Sequence, residues 1–203
     1  MSKTESYLKD SQNLLQKCHN LDIKQENVFL YSMDFDSLYT SMNIKDVFNL
    51  LSDFMVTNKD NAFIDSVAFN QILSLIFDNN IFVYKNTFYV QINGIAMGCI
   101  CGPSVANLFV FILERKWLHI NKPLFYGRFI DDICLITHTK LDENSFKQNF
   151  LNLKLNIDTG PGINFLDLII KFDSITRKRI YSFYNDYLYF TRKLIEVISI
   201  ILL

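Results

Sequence analysis

Apolar residues recur at two distinct periods along this chain, and the alternation between those periods sets out its elements. From Glu5 to His19 the apolar positions Tyr7, Leu8, Leu14, Leu15 and Cys18 fall at helical spacing, which predicts a helix. Asn27 to Phe35 (NVFLYSMDF) reads as a strand that ends in acidic residues, and Ile44 to Met55 and Asp65 to Phe77 return to the helical period. Asn86 to Ile92 (NTFYVQI) predicts another strand. Gly94, Gly98 and Gly102 then form a flexible turn into Pro103, which is tolerated in the first turn of a helix, so SVANLFVFILERKW after it predicts a buried helix. Two apolar arms, LFYGRFI and ICLITHT, flank Asp131-Asp132 and predict a hairpin with two carboxylates at its tip. INFLDLIIKFD and RKRIYSFYN predict two further strands joined by a short polar turn. Helices mixed with hairpins imply an α+β fold with an antiparallel sheet.

Composition narrows this picture. With 203 residues, 50% hydrophobic, 20% charged, six glycines and three prolines, the chain can bury a large core and is neither fibrous nor disordered. No repeat, low-complexity tract or Gly/Pro/Ser-rich linker divides it. The formal net charge of -1 argues against a simple polycation coating nucleic acid. The four cysteines (Cys18, Cys99, Cys101 and Cys134) match no zinc pattern, and we read them as reduced thiols. The polar start, MSKTESYLKDSQ, carries no signal-peptide run, so an intracellular protein, nuclear or cytoplasmic, is expected. The apolar tail Leu194 to Leu203 is about half of the roughly 20 residues that span a bilayer, which predicts a buried final helix and no membrane partner.

Four carboxylates, Asp34, Asp36, Asp131 and Asp132, sit where strands end. A carboxylate at the end of an apolar strand is costly unless it is paired, hydrogen-bonded or bound to a cation. Adjacent carboxylates repel, and a divalent ion relieves them; hard oxygen ligands select Mg²⁺ or Mn²⁺, commonly together with substrate phosphates. Alone, an Asp-Asp pair reads as a common turn pair, more often than as a catalytic one. Its surroundings point further: MDFDSLYTSM, FYVQINGIAMGCICGPSVAN, FYGRFIDDI and INFLDLII follow one another in order.

Those segments resemble reverse transcriptases, and most nearly the Penelope-like retroelement (retrotransposon) family, with its FDVxSLYTNI, YxQxxGxAMGSPLSPxxAN, YxRYxDD and PFLD segments. The resemblance spans roughly Ser6 to Phe190. It implies a polymerase palm-type antiparallel sheet with helices packed on one face. Residues 1–26 would be a helical lead-in, 27–170 the palm, and 171–203 the end of the palm hairpin and the start of a shortened thumb. The implied activity is that of an RNA-directed DNA polymerase, a nucleotidyltransferase using two Mg²⁺ or Mn²⁺ ions, with RNA template, DNA primer and dNTP as partners.

Residue by residue, the resemblance makes Asp34 and Asp131 the metal-binding aspartates, Asp132 their supporting carboxylate and the Phe35 carbonyl a further metal ligand. In two-metal catalysis the ions lie about 3.5–4 Å apart, so ligands come from neighbouring strands. Tyr39 matches the aromatic that packs under the incoming sugar and excludes a 2′-hydroxyl. Gln91, Gly98 and Pro103 belong to the segment that supports the nucleotide. Phe165-Leu166-Asp167 matches the hairpin that grips the primer. Asp36 has no counterpart and reads as a solvated or capping carboxylate.

Other residues stay open between two readings. Arg128 meets either a phosphate or a neighbouring acid. Arg177, Lys178 and Arg179, interleaved with aromatics, either track a nucleic-acid backbone or form a polar turn. Cys99-Ile100-Cys101-Gly102-Pro103 departs from the family's SPLSP. The basic finger region and helical thumb of the family's polymerases are not apparent, so a shortened copy, or a partner chain supplying those parts, is expected. The alternative is a catalytically silent palm-fold module that binds nucleic acid or protein. A metal-dependent phosphohydrolase fits less well, since no basic or histidine cluster accompanies the aspartates.

Overall fold

A computed structural model describes residues 6–19, 21, 27–58, 64–96, 98–173 and 178–183. The elements in chain order are α1 (Ser11–His19), β1 (Phe29–Phe35), α2 (Leu38–Ser41), α3 (Ile44–Thr57), α4 (Ser66–Asp78), β2 (Ile81–Tyr84), β3 (Thr87–Val90) and α5 (Gly102–Asn121). There follow β4 (Phe125–Phe129), β5 (Asp132–Thr137), α6 (Glu143–Lys147), β6 (Leu155–Gly160), β7 (Gly162–Phe165), β8 (Leu168–Asp173) and β9 (Lys178–Phe183). Helices mixed with antiparallel strand pairs make this the α+β architecture expected from the sequence. No helix among the described residues is long and apolar enough to cross a membrane. The tail from Leu194 lies outside the described residues.

The chain forms two compact units, each assembled from separated segments. The first comprises the described residues of Met1–Asp34, Pro123–Leu141 and Ile157–Leu203. Its main sheet has the order β4-β5-β1-β6, and β7-β8-β9 form a second sheet. Leu8, Leu14 and Cys18 from the N-terminal segment pack with Leu30 of β1, Phe125 of β4, Cys134 and Ile136 of β5, and Ile163, Phe165, Leu168 and Ile170 of the β7-β8 hairpin. Burying each large apolar side chain contributes roughly 1.5–3 kcal/mol. The backbone of this lead-in is also tied down: Leu8 N donates to Arg128 O at 2.8 Å, and Arg128 N donates to Ser6 O at 2.6 Å.

The second unit comprises the described residues of Phe35–Lys122 and Asp142–Asn156. Asn43 caps α3 by accepting from Lys45 N and Asp46 N, and Asp65 caps α4 by accepting from Val67 N and Ala68 N. Aromatic rings run through its interior: Trp117 meets Phe146 at 4.8 Å between centroids, Phe146 meets Phe150 at 5.2 Å, and Phe150 meets Phe35 at 5.1 Å.

Several boundaries differ from expectation, each for a local reason. Helix α1 begins at Ser11, not Glu5, because Tyr7 and Leu8 bridge to β4 as extended chain. Residues Ile81–Tyr84 form a strand that the sequence did not announce. They pair with β3 through a turn at Lys85-Asn86, both at positive φ (47° and 61°), the conformation that two-residue hairpins favour. The stretch INFLDLIIKFD is two strands, since Leu166, at φ 53°, turns the chain between β7 and β8. Short α2, α6 and the strand β6 were likewise not anticipated.

Candidate active site

β1 and β5 run antiparallel in the first unit, with Asp34 opposite Asp132 and Met33 opposite Ile133. β4 and β5 continue the sheet, with Phe129 opposite Asp132. The bend of that hairpin lies at Ile130-Asp131, one residue earlier than the expected Asp131-Asp132, because Ile130 takes φ 56° and Asp132 already belongs to β5. Asp34 and Asp132 thus occupy facing positions on neighbouring strands, with Asp131 next to Asp132 at the bend.

Strand apolarity explains how these acids are held. Ile133, Cys134, Leu135 and Ile136 are buried, as are Leu30, Tyr31 and Met33, so hydrophobic anchoring fixes the register that brings the acidic ends together. Asp34 is exposed, whereas Asp131 and Asp132 are half-buried. The Asp132 carboxyl is pushed up to about 6, first by burial, then by the negative charges of Asp131 and Asp34. Facing like charges on adjacent strands destabilise a sheet unless something offsets them.

In the second unit, Phe35 is buried and packs edge-on against Phe150, which fixes the backbone next to Asp34. Asp36 accepts from Lys154 Nζ at 2.8 Å and from Ser37 Oγ at 3.0 Å on an exposed face; the Lys154 hydrogen bond and then the Ser37 one hold its carboxyl below the usual range. It is the solvated carboxylate the sequence suggested.

Tyr39 and the glycine segment are brought together within this unit. Ile95 N donates to Tyr39 O at 2.7 Å, and Gly94 N donates to Met42 O at 3.0 Å. Gly94 has φ +74°, and a Cβ there would lie 2.6 Å from Thr40 Cα and 2.7 Å from Tyr39 O, so only glycine permits this approach. Gln91 is half-buried and donates from Nε2 to Asn93 O at 2.8 Å. Gly98 is exposed, with open space where a Cβ would stand, and Pro103 is exposed in the first turn of α5.

The sequence profile described as reverse transcriptase (RNA-dependent DNA polymerase) matches residues 1–156. The chain belongs to that family. No curated protein matches its sequence. Among solved structures it is similar to apo telomerase from Candida tropicalis truncated from the C-terminal domain, at 14% identity and TM-score 0.60, covering 87% of this chain and 41% of that one. It is also similar to Candida tropicalis telomerase in complex with a TWJ fragment of telomeric RNA (13%, TM-score 0.60, 88% and 34% covered). The corresponding Candida albicans complex matches at 15% identity and TM-score 0.57, with 86% and 34% covered. At these identities the likeness establishes the fold, a reverse transcriptase palm fold, and the chain spans about two fifths or less of those proteins.

The remaining candidates of this reverse transcriptase chain have these positions in the structure. Arg128 is 2% exposed and donates from a guanidinium nitrogen to Ile130 O at 2.8 Å, so it braces the hairpin bend and presents no open face to a phosphate. Phe165 is buried in the core, Leu166 makes the turn, and Asp167 accepts from Ser11 Oγ, joining the β7-β8 hairpin to α1. Lys178 and Arg179 stand opposite Asp173 and Phe172 in the β8-β9 ladder; Arg177 lies outside the described residues. Sequence reasoning missed the backbone contact between Gly94-Ile95 and Tyr39-Met42, for which the sequence carries no local signal.

The donors suit a hard cation. Asp34, Asp131 and Asp132 offer only carboxylate oxygens, and the upward push on Asp132 from the other two marks a charge excess that a divalent ion offsets. As placed, no three His, Cys, Asp or Glu side chains among the described residues already close into a metal cage.

Proposed function

We propose that this chain is the polymerase domain of a Penelope-like retroelement reverse transcriptase, which extends a DNA primer with deoxynucleotides along an RNA template. One observation carries the reading: Asp34 and Asp132 stand opposite one another on adjacent strands with Asp131 at the bend, amid mutual repulsion. Asp34, Asp131 and the Phe35 carbonyl would hold Mg²⁺ or Mn²⁺, and Asp132 would support them. Two such ions, when bound, supply the positive charge that acidifies the primer 3′-hydroxyl and neutralises the triphosphate and leaving pyrophosphate.

The chain's own residues do the positioning. Antiparallel β1 and β5 fix Asp34 and Asp132 on a rigid sheet, a more accurate support than a loop, and Asp131 joins them from the bend. Tyr39, its backbone clamped by Ile95 N, would lie under the incoming sugar and leave no room for a 2′-hydroxyl. Open space at Gly98 allows close approach of a nucleotide to the backbone. Work inside the cell, in the nucleus or cytoplasm, follows from this reading.

The test is primer extension on an RNA template with dNTPs and Mg²⁺, comparing the wild type with Asp131→Asn. The reading expects incorporation by the wild type and a fall of about 100-fold or more in the variant, the scale on which a loss of electrostatic stabilisation registers. Equal incorporation by both proteins would remove Asp131 from the role assigned to it.

A further inference from the structure

Cys99 and Cys101 flank Ile100 just ahead of α5, with their Sγ atoms 3.2 Å apart. The backbone enforces this approach. Cys99 N donates to Ala96 O, Gly102 N to Cys99 O, and Val105 N to Cys101 O, each at 2.9 Å, so the chain turns tightly into the helix. Both thiols are half-buried and Ile100 between them is 99% exposed, so small solutes reach the turn. Cys18 and Cys134 differ in access, since both are wholly buried; burial raises the Cys101 thiol, as does its contact with Cys99, and pushes the Cys134 thiol well up.

A shared metal is the poorer use of this pair. Two thiolates on one tetrahedral Zn²⁺, at about 2.3 Å each, stand about 3.8 Å apart, wider than the spacing here. Among the described residues no third His, Cys, Asp or Glu joins them. The separation suits direct reaction of one sulfur with the other.

We propose that Cys99 and Cys101 are a redox-active dithiol that closes into an intrachain disulfide when it meets a small disulfide oxidant such as glutathione disulfide. One cysteine, as thiolate, attacks a sulfur of glutathione disulfide; a protein–glutathione disulfide forms, and one glutathione leaves as thiolate and takes up a proton. The second cysteine, as thiolate, attacks the protein sulfur of that mixed disulfide, forming the Cys99–Cys101 bond and expelling the second glutathione. The two thiols give up two electrons and two protons, and the oxidant takes up both. The second step is intramolecular between sulfurs already in contact, so it outruns capture of a second glutathione. A bridge across one intervening residue closes a small strained ring, which makes it easily reduced and suits it to reversible use.

The full chain, equilibrated in buffers of graded glutathione disulfide to glutathione ratio, is acid-quenched, alkylated and mapped by mass spectrometry. The expected product has lost two hydrogens in the peptide holding Cys99 and Cys101, recovers them with dithiothreitol, and keeps Cys18 and Cys134 reduced. Cys101→Ser, checked for its fold by circular dichroism, should accumulate one glutathione on Cys99. The proposal is overturned if wild-type Cys99 and Cys101 each carry a glutathione without bridging. It is equally overturned if they stay reduced at ratios that load glutathione onto Cys99 of Cys101→Ser. The readout needs no polymerase activity, so it is independent of the function proposed above.

Discussion

Replacing Asp132 by asparagine removes one charge and almost no volume, which makes it a direct probe of the repulsion at the β1-β5 end. Its carboxyl is pushed up to about 6 from an unfolded value of 3.8. A folded-state value above the unfolded one means that the native protein holds the proton more tightly than the unfolded chain. Ionised Asp132 therefore costs stability; the cost is full above pH 6 and fades as pH falls towards 4. A shift of about 2 pH units corresponds to ~3 kcal/mol at about 1.4 kcal/mol per unit. Asp132 is only half-buried, so solvent screening leaves about half or less, ~1–1.5 kcal/mol.

Asp132→Asn should thus be more stable than the wild type by about 1 kcal/mol at pH 8, a rise in Tm of roughly 2–4 °C for a chain this size, and indistinguishable from it at pH 4. Urea unfolding at pH steps between 4 and 8 measures the difference. A variant less stable at pH 8, or a difference that ignores pH, would refute the electrostatic reasoning. Mg²⁺ adds a second arm, because an ion at tenfold its dissociation constant stabilises a native site by about 1.4 kcal/mol. The wild type should gain that, and Asp132→Asn less. If Mg²⁺ leaves the wild type unchanged, the metal reading fails while the repulsion stands.

Gly94→Ala should destabilise the second unit by about 2–4 kcal/mol, since a methyl at φ +74° collides with the Tyr39-Thr40 backbone; thermal denaturation reads the loss. Phe150→Ala should cost about 3–5 kcal/mol by emptying the place between Phe35 and Phe146, measured by urea unfolding. Tyr39→Val should raise ribonucleotide relative to deoxynucleotide incorporation by about 10-fold or more in single-nucleotide extension, as relief of a steric block does. Lys154→Ala should leave the Tm unchanged within error, because its ion pair with Asp36 is solvated on both sides.

The acidic strand ends were legible in the sequence because long apolar arms terminate in carboxylates, and such arms leave little freedom of register. That argument picks out Asp34, Asp36, Asp131 and Asp132 alike, and only the strand register shows that Asp34 faces Asp132. The location of the bend was not, since it depends on which residue takes positive φ, and Ile130 is an unusual choice for that conformation. The β2 strand was hidden for a related reason: its turn uses Lys85-Asn86 in place of a glycine-bearing pair, and its four residues follow α4 after only Asn79 and Asn80. FLDLII conceals its turn because Leu166 and Asp167 sit inside what reads as one apolar run. Ile95 N on Tyr39 O and Gly94 N on Met42 O join segments more than fifty residues apart through backbone hydrogen bonds, which no local pattern encodes. Arg128 carried two readings in the sequence, and only the structure shows that it is buried with a guanidinium nitrogen on Ile130 O.

The two units are woven from alternating stretches, with the chain passing from one to the other after Asp34, Lys122, Leu141 and Asn156. Neither unit exists as a contiguous piece of gene. The first cannot complete its sheet until β4 and β5 arrive, some ninety residues after β1 has left the ribosome. Much loop entropy is thus spent before the pairings that recover it, a topology that slows folding. It also means that cutting the coding sequence anywhere between Phe35 and Asn156 splits both units at once, so no terminal fragment can be excised as a self-sufficient module.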